Sequence, residues 1–264
     1  MAVRYEAQGR VAVITLDRPE ALNTFDRQMH LELHDAWVAF RDDPEIFVAV
    51  VTGAGDRAFS AGADVRGWGQ PQDESRQHPH GPGRHIWETR YDWDLQGGLE
   101  MWKPAICAVN GYCIGEGLTL ALACDLRIAS ERATFAFPEV QIGVPTIAGA
   151  IRAPRVIGLG AALELLLVGD RVDAQRAYDM GLVNKVVPHD ELIAEAMRWA
   201  ERLARNAPQA MAATKEVAVR SQAMSFTDAL RMGEAMRKLG GSTEDAREGV
   251  RAFREKRAPV YRGM

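Results

Sequence analysis

Cysteine is scarce in this chain, and its three cysteines form no CxxC pair. A disulfide framework needs paired cysteines, and structural zinc sites commonly use closely spaced ones, so neither is expected here. Cys107, Cys113 and Cys124 are therefore interpreted as small core residues with reduced thiols. The reduced thiols and the absence of a signal-peptide pattern predict a cytoplasmic protein.

Long apolar runs and an excess of positive charge are also missing. No run reaches the roughly 18 residues that span a bilayer, so no membrane association is predicted. The 32 basic and 36 acidic residues give a net charge of −4, which argues against a nucleic-acid partner. The 264 residues are 47% hydrophobic, enough to bury a sizeable core.

The signatures of several common enzyme classes are absent. The sequence has no GxSxG nucleophile elbow, no Walker sequence and no GxGxxG fingerprint. His30 and His34 lie four residues apart on a predicted helix, but HLELH lacks the HExxH order and a third ligand. No metal site is predicted.

Short apolar runs alternate with glycine turns and helical sequence through the first two-thirds of the chain. This alternation predicts a mixed α/β fold. The predicted strands are residues 3–7, Val11–Leu16, 47–52, Ala105–Val109 and 126–129, and residues 26–40 are a predicted helix.

Two segments have a different composition. Residues 66–98 are rich in glycine, proline and charge, which is typical of a binding loop, a lid or a mobile surface loop. Beyond residue 189 the pattern is helical, with Ser225 and Thr243 as predicted N-caps. We expect a core of residues 1–189 and a helical oligomerisation region of residues 190–264. The helices of that region are predicted at residues 190–205, 209–222, 225–239 and 243–256.

Two glycine-containing turns can offer backbone N–H groups to an anion. One is FSAGAD at residues 59–64, and the other is NGYCIGEG at residues 110–117, which runs into an apolar helix. Small side chains let a ligand approach the backbone, and the start of a helix is partly positive. Converging donors of this kind form an oxyanion hole. Glu139, in the apolar stretch FPEVQIG, is suited to general acid/base work.

Several segments, in the same order, resemble the enoyl-CoA hydratase/isomerase (crotonase) superfamily. The resemblance covers essentially the whole chain and implies a crotonase-type β/β/α spiral with a C-terminal helical region. The segments are RPEALNTF at 18–25, AFSAGADV at 58–65, KPAICAVNGYCIGEGLTLALACDLRIAS at 103–130, FAFPEVQIG at 135–143, GDRVDAQRAYDMGLVNKVV at 169–187 and REGVRAFREKR at 247–257.

The resemblance implies roles for individual residues. The backbone N–H groups of Ala61 and Glu116 are expected to hold the thioester oxygen of an enolate. The resemblance implies that hydratases of the family use two glutamates. In this sequence, one of the two positions is Glu139 and the other is Thr119. A threonine hydroxyl is no general base near neutral pH, so isomerase-like chemistry by Glu139 alone is favoured over efficient hydration.

Glu116 stands where the family usually has alanine or glycine. A carboxylate about 4 Å from an enolate costs roughly 4 kcal/mol at an effective dielectric constant of about 20. The side chain must therefore turn away, pair with a cation or stay protonated. Two alternatives remain: a 2-enoyl-CoA hydratase that uses Glu116 as its displaced second acid, or an acyl-CoA-binding paralogue without catalysis.

The resemblance further implies an acyl-CoA substrate, no separate cofactor and a homotrimer or hexamer. Ala21, Leu22 and Ala63 match segments of the family that contact CoA, and Lys256 is expected near its phosphates. Trp68, Trp87 and Trp93, in the loop at 66–98, are expected to shape the acyl pocket.

Overall fold

The computed structural model of this chain describes residues 1–67 and 101–263. Within them, two sheets are surrounded by helices, as predicted for a mixed α/β fold. The strands are β1 (Val3–Gln8), β2 (Val11–Leu16), β3 (Val48–Gly53), β4 (Ala58–Ser60), β5 (Ala105–Val109), β6 (Tyr112–Ile114), β7 (Leu126–Ser130), β8 (Thr134–Ala136), β9 (Val172–Asp173) and β10 (Lys185–Val187).

The larger sheet has the strand order β1-β2-β3-β5-β7-β10. β1 and β2, both predicted as strands, form an antiparallel hairpin, and the later neighbours pair in parallel. Parallel strands covered on both faces read as continuous apolar runs, and every residue of β3 and β5 is buried. The strands predicted at residues 47–52, 105–109 and 126–129 are confirmed.

The smaller sheet has the order β4-β6-β8-β9. Each of β3, β5 and β7 leads within a few residues into a short strand of this second sheet, respectively β4, β6 and β8. After β6 the chain enters a helix directly. This repeat of strand, strand and helix is the spiral that the resemblance implies.

The first helix matches its prediction to within two residues. Asp26 caps it by accepting a hydrogen bond from the Met29 N–H (2.9 Å), and one face of the helix is buried. The helices are α1 (Arg27–Asp42), α2 (Glu116–Ala123), α3 (Ala148–Ile157), α4 (Leu159–Leu163), α5 (Ala174–Asp179), α6 (Leu192–Ala204), α7 (Pro208–Arg220), α8 (Phe226–Gly241) and α9 (Glu244–Glu255).

The C-terminal helices lie where the sequence predicts them, and both predicted N-caps are confirmed. Ser225 accepts a hydrogen bond at the start of α8, and Thr243 does so at the start of α9. Leu192, Ala196 and Ala200 of α6 are buried against the larger sheet. Because α6 shares a core with that sheet, the boundary between residues 189 and 190 stays a prediction.

In the ranges that the structure describes, no helix combines the length and the apolar character needed to cross a membrane. The three cysteines are buried, as predicted for core residues. Residues 68–98 of the predicted loop fall outside the described ranges. The pocket role predicted for Trp68, Trp87 and Trp93 therefore lies outside the described residues.

Candidate active site

The first glycine turn follows β4 and is held by main-chain hydrogen bonds to the segment after β2. The Ala61 N–H donates to the Leu22 carbonyl oxygen (2.9 Å), and the Phe25 N–H donates to the Gly62 carbonyl oxygen (2.8 Å). The Ala61 amide, expected as an oxyanion donor, is thus already engaged by a main-chain acceptor. The structure corrects that expectation.

Gly62 reverses the direction of the next amide. Its φ of +94° lies in the left-handed region, and a Cβ atom there would come 2.9 Å from the Ile114 carbonyl oxygen. In a trans peptide the C=O and N–H groups point in opposite directions. Because the Gly62 carbonyl accepts from Phe25, the Ala63 N–H points away from that segment. No hydrogen bond of the Ala63 N–H occurs among residues 1–67 and 101–263.

Asp64 braces the end of this turn. The Arg66 Nε donates to its Oδ1 (2.8 Å), and the Arg18 Nη2 lies 3.5 Å from its Oδ2. The hydrogen bonds from the Arg66 side chain lower the pKa of Asp64 to about 2. The turn therefore ends in an ionised carboxylate that is held by two arginines.

The second glycine turn joins β6 to α2. The Gly115 N–H donates to the Ala136 carbonyl oxygen (2.9 Å), which ties the turn to β8. Glu116 is the first residue of α2, at the positive end of the helix dipole, rather than part of a turn before the helix. A Cβ atom on Gly62 would lie 3.5 Å from the Glu116 nitrogen, so the two turns are in contact.

Glu139 approaches the second turn from the opposite side. It lies in the first turn of a 3-10 helix, Pro138–Ile142, that follows β8. Its Oε1 would lie only 3.0 Å from a Cβ atom on Gly115. Because glycine has no side chain, the space in front of the carboxylate stays open. Its Oε2 is buried and has no hydrogen-bond partner within the described part of the chain. An unsatisfied buried carboxylate oxygen is costly and marks a candidate reactive group.

Thr119 occupies a tightly packed position one helical turn beyond Gly115. Its Oγ1 donates to the Gly115 carbonyl oxygen (3.2 Å), and only 5% of the residue is exposed. A Cβ atom on Gly149 of α3 would lie 2.9 Å from this Oγ1 and 2.5 Å from the Phe137 ring. The hydroxyl is thus engaged by its own helix.

The Glu116 carboxylate turns toward α1. Its Oε1 lies 3.4 Å from the Nε2 of His30, and the His30 ring stacks on Phe25 with a centroid separation of 5.3 Å. The sequence identified His30 only as a metal candidate paired with His34. Nothing in the local pattern could reveal its contact with Glu116, because α1 and α2 are far apart in the chain.

Three of the four predicted CoA contacts lie together. Leu22, next to Ala21, binds the first glycine turn through its carbonyl oxygen, and Ala63 belongs to that turn. Lys256 is exposed at the end of α9, and the residues that follow it, 258–261, pack beside Gly9. Gly9 lies in the hairpin turn that precedes β2, whereas Ala21 and Leu22 come after the other end of this strand. β2 is about 20 Å long. The structure does not bring Lys256 to the other three residues of its own chain.

Comparison with known proteins matches this geometry to one enzyme family. A profile described as enoyl-CoA hydratase/isomerase matches residues 6–264. The chain belongs to the enoyl-CoA hydratase/isomerase family. It is 38% identical to (E)-benzylidenesuccinyl-CoA hydratase of Thauera aromatica, with full coverage of both chains. It is 39% identical to carnitinyl-CoA dehydratase of Salmonella typhi, over 97% of this chain and 96% of that protein.

Solved structures of this family share the fold. An enoyl-CoA hydratase from Bacillus anthracis superimposes with a TM-score of 0.91 at 32% identity, with full coverage of both chains. An enoyl-CoA hydratase/isomerase from Mycobacterium paratuberculosis gives a TM-score of 0.90 at 36% identity, over 100% of this chain and 99% of that one. The fold is the crotonase spiral, and the protein is an enoyl-CoA hydratase/isomerase-type enzyme that acts on CoA thioesters.

Proposed function

We propose that this enzyme forms an enolate of an acyl-CoA thioester and that Glu139 transfers the proton. The observation that carries the proposal is the Glu139 carboxylate, which faces Gly115 and has a buried, unpartnered Oε2. A carboxylate so placed can accept a proton from a substrate carbon in the space between the glycine turns.

The proposed oxyanion donors are the backbone N–H groups of Ala63 and Glu116. Ala63 replaces Ala61 in this role, because the Ala61 amide is bound by Leu22 while the Ala63 amide points the other way. Glu116 contributes its amide from the positive end of α2. Donors aimed at the thioester oxygen stabilise the negative charge that develops there.

Double-bond isomerisation is the chemistry that one glutamate supports best. With a 3-enoyl thioester, the Glu139 carboxylate takes a proton from C2, and the electron pair moves toward the thioester oxygen to give a dienolate. The same carboxyl group then returns a proton to C4, which leaves a 2-enoyl thioester. Water addition needs a second group to orient and deprotonate water, and the Thr119 hydroxyl already donates to Gly115.

Hydration is the second candidate function. In it, a 2-enoyl-CoA takes up water with Glu116 as the displaced second acid. Two relatives favour this candidate, since one is named a hydratase and the other a dehydratase.

The test measures turnover of a 3-enoyl-CoA and a 2-enoyl-CoA by the native protein and by Glu116→Gln. We expect the native protein to shift the double bond faster than it adds water, and Glu116→Gln to keep the shift. Fast water addition that collapses in Glu116→Gln would support hydration instead. Binding of both thioesters without turnover would support an acyl-CoA-binding protein that lacks catalysis.

CoA is proposed to bind along Ala21, Leu22 and Ala63. Because Lys256 lies away from these residues in its own chain, its proposed contact with the phosphates requires a neighbouring copy. A homotrimer or hexamer would provide that copy.

A further inference from the structure

His30 and Glu116 meet beside the proposed oxyanion hole. His30 lies in the first turn of α1 and Glu116 opens α2, and their Nε2 and Oε1 atoms are 3.4 Å apart. The two side chains are 14% and 23% exposed, so water screens the contact only in part. A charge on His30 therefore acts strongly on the Glu116 carboxylate.

The same segment that holds the first glycine turn also holds His30. The His30 ring stacks on the ring of Phe25, whose N–H binds the Gly62 carbonyl oxygen. The His30 N–H donates to the Asp26 carbonyl oxygen, which places the ring in the regular first turn of the helix. The imidazole is thus fixed relative to the turn that carries the Ala63 amide.

Other charged groups near this segment have partners of their own. Asp26 pairs with Arg18 (2.8 Å), and Asp64 is bound by Arg66. Glu32, on α1, accepts from the N–H groups of residues 2 and 3. These three carboxylates are bound by arginines or by backbone N–H groups. The Glu116 carboxylate, at the start of α2, contacts the His30 imidazole on α1.

We propose that His30 is a positioning residue for the enolate site. It holds the Glu116 carboxylate against α1 and, when protonated, offsets its negative charge. The amide of Glu116 can then stabilise an enolate although the side chain of the same residue is acidic. This inference rests on the proposed function, since it assumes that an enolate forms at that amide.

A double-mutant cycle tests the proposal with acetoacetyl-CoA, a thioester whose enolate absorbs in the near ultraviolet. The absorbance of the bound ligand reports the enolate fraction without turnover. A like charge close to a titrating group disfavours its ionised form by roughly one pK unit or more, so His30→Leu, which leaves the Glu116 charge without its offset, should lower the ratio of enolate to keto form by about 10-fold. In the Glu116→Gln background the same substitution should have little effect, because no charge remains to be offset.

A purely structural role for His30 gives a different pattern. If His30→Leu lowers the ratio of enolate to keto form equally in the native and Glu116→Gln backgrounds, or in neither, the proposal is overturned. If His30→Leu does not fold, His30→Gln replaces it, since glutamine is polar but has no titratable charge. It should also lower the enolate fraction in the native background and have little effect in the Glu116→Gln background. Thioester affinity is measured in parallel. Intact binding with additive losses refutes this inference alone, whereas no binding by the native protein refutes the proposed function as well.

Discussion

A Cβ atom on Gly117 would lie 2.7 Å from the carbonyl oxygen of Ser60 and 2.8 Å from the Ser60 Cβ. The first turn of α2 therefore rests directly on β4, main chain against main chain. This contact fixes the distance between the two glycine turns, since each turn adjoins one of these residues.

Gly117→Ala should separate the two turns. Overpacking of this kind costs typically about 1–3 kcal/mol, and we expect a lower melting temperature together with slower turnover. Gly160→Ala in α4 is the matched control, because nothing lies within 4 Å of its added Cβ atom. The control should be neutral or slightly stabilising. Indistinguishable melting temperatures for the two variants would contradict the contact.

Glu139→Gln keeps the shape of the side chain and removes the base. Turnover on the best substrate should fall by ~10²-fold or more, while thioester affinity is retained. Glu131→Gln, an exposed glutamate of the same region, provides the control and should be fully active. An unchanged rate with intact binding would remove Glu139 from the mechanism.

Thr119→Glu places a carboxylate at the position that family hydratases use. Hydration of crotonyl-CoA should be weak in the native protein and should rise in this variant, since a missing base is typically worth ~10²–10⁴ in rate. The position is tightly packed against Gly149, so we also expect a loss of about 1–3 kcal/mol in stability.

Thr119→Gln is the control for Thr119→Glu, because it matches the size of the new side chain and lacks its charge. Loss of the enoyl-thioester absorbance follows hydration in each protein. Two folded, thioester-binding variants with the same hydration rate as the native protein would refute the prediction.

Glu195 should contribute to stability in a defined pH range. The hydrogen bond from the Lys185 Nζ (2.6 Å), with Arg198 and Trp199, lowers the pKa of this buried carboxyl to about 2. An unfolded glutamate titrates near 4.5, so the contribution is complete above that pH and is lost as the pH falls toward about 2.

Urea unfolding of the native protein and Glu195→Gln between pH 7 and about 2.5 measures this contribution. The variant should be less stable at neutral pH, and its stability should decline less on acidification than that of the native protein. Glu201→Gln, exposed on the same helix, should follow the native curve. Parallel curves for Glu195→Gln and the native protein would show that the carboxylate contributes nothing.

The chain is predicted to associate with copies of itself. Phe226 and Phe253, on α8 and α9, are 84% and 85% exposed, and large exposed apolar side chains favour an interface. Sedimentation should give a trimer or a multiple of it. A stable monomer at micromolar concentration would reject this assembly.

The elements with a clear apolar period could be predicted from the sequence. The first two strands and the C-terminal helices follow from the spacing of their apolar residues, and the buried strands follow from continuous apolar runs. The short strands β4 and β6 could not be found in this way. They overlap the sequences interpreted as glycine turns, and three residues are too few to establish a period.

The candidate site could likewise be predicted only in part from the sequence. The position of Glu139 follows from its motif, but the choice between the amides of Ala61 and Ala63 depends on the φ of Gly62, which no local pattern specifies. The meeting of His30 with Glu116 depends on the packing of two helices far apart in the chain. Tertiary contacts of this kind are not encoded in any single window of sequence.

Two of the hydrogen bonds that orient the first glycine turn run from main chain to main chain. Ala61 binds Leu22 and Phe25 binds Gly62, while a third bond runs from the Gly62 N–H to the Ser60 Oγ. Replacing the side chain of Ala61 or Ala63 removes none of these bonds, so the Ala63 amide keeps its direction. New acids or bases can then be introduced beside this turn while the proposed oxyanion donor is kept.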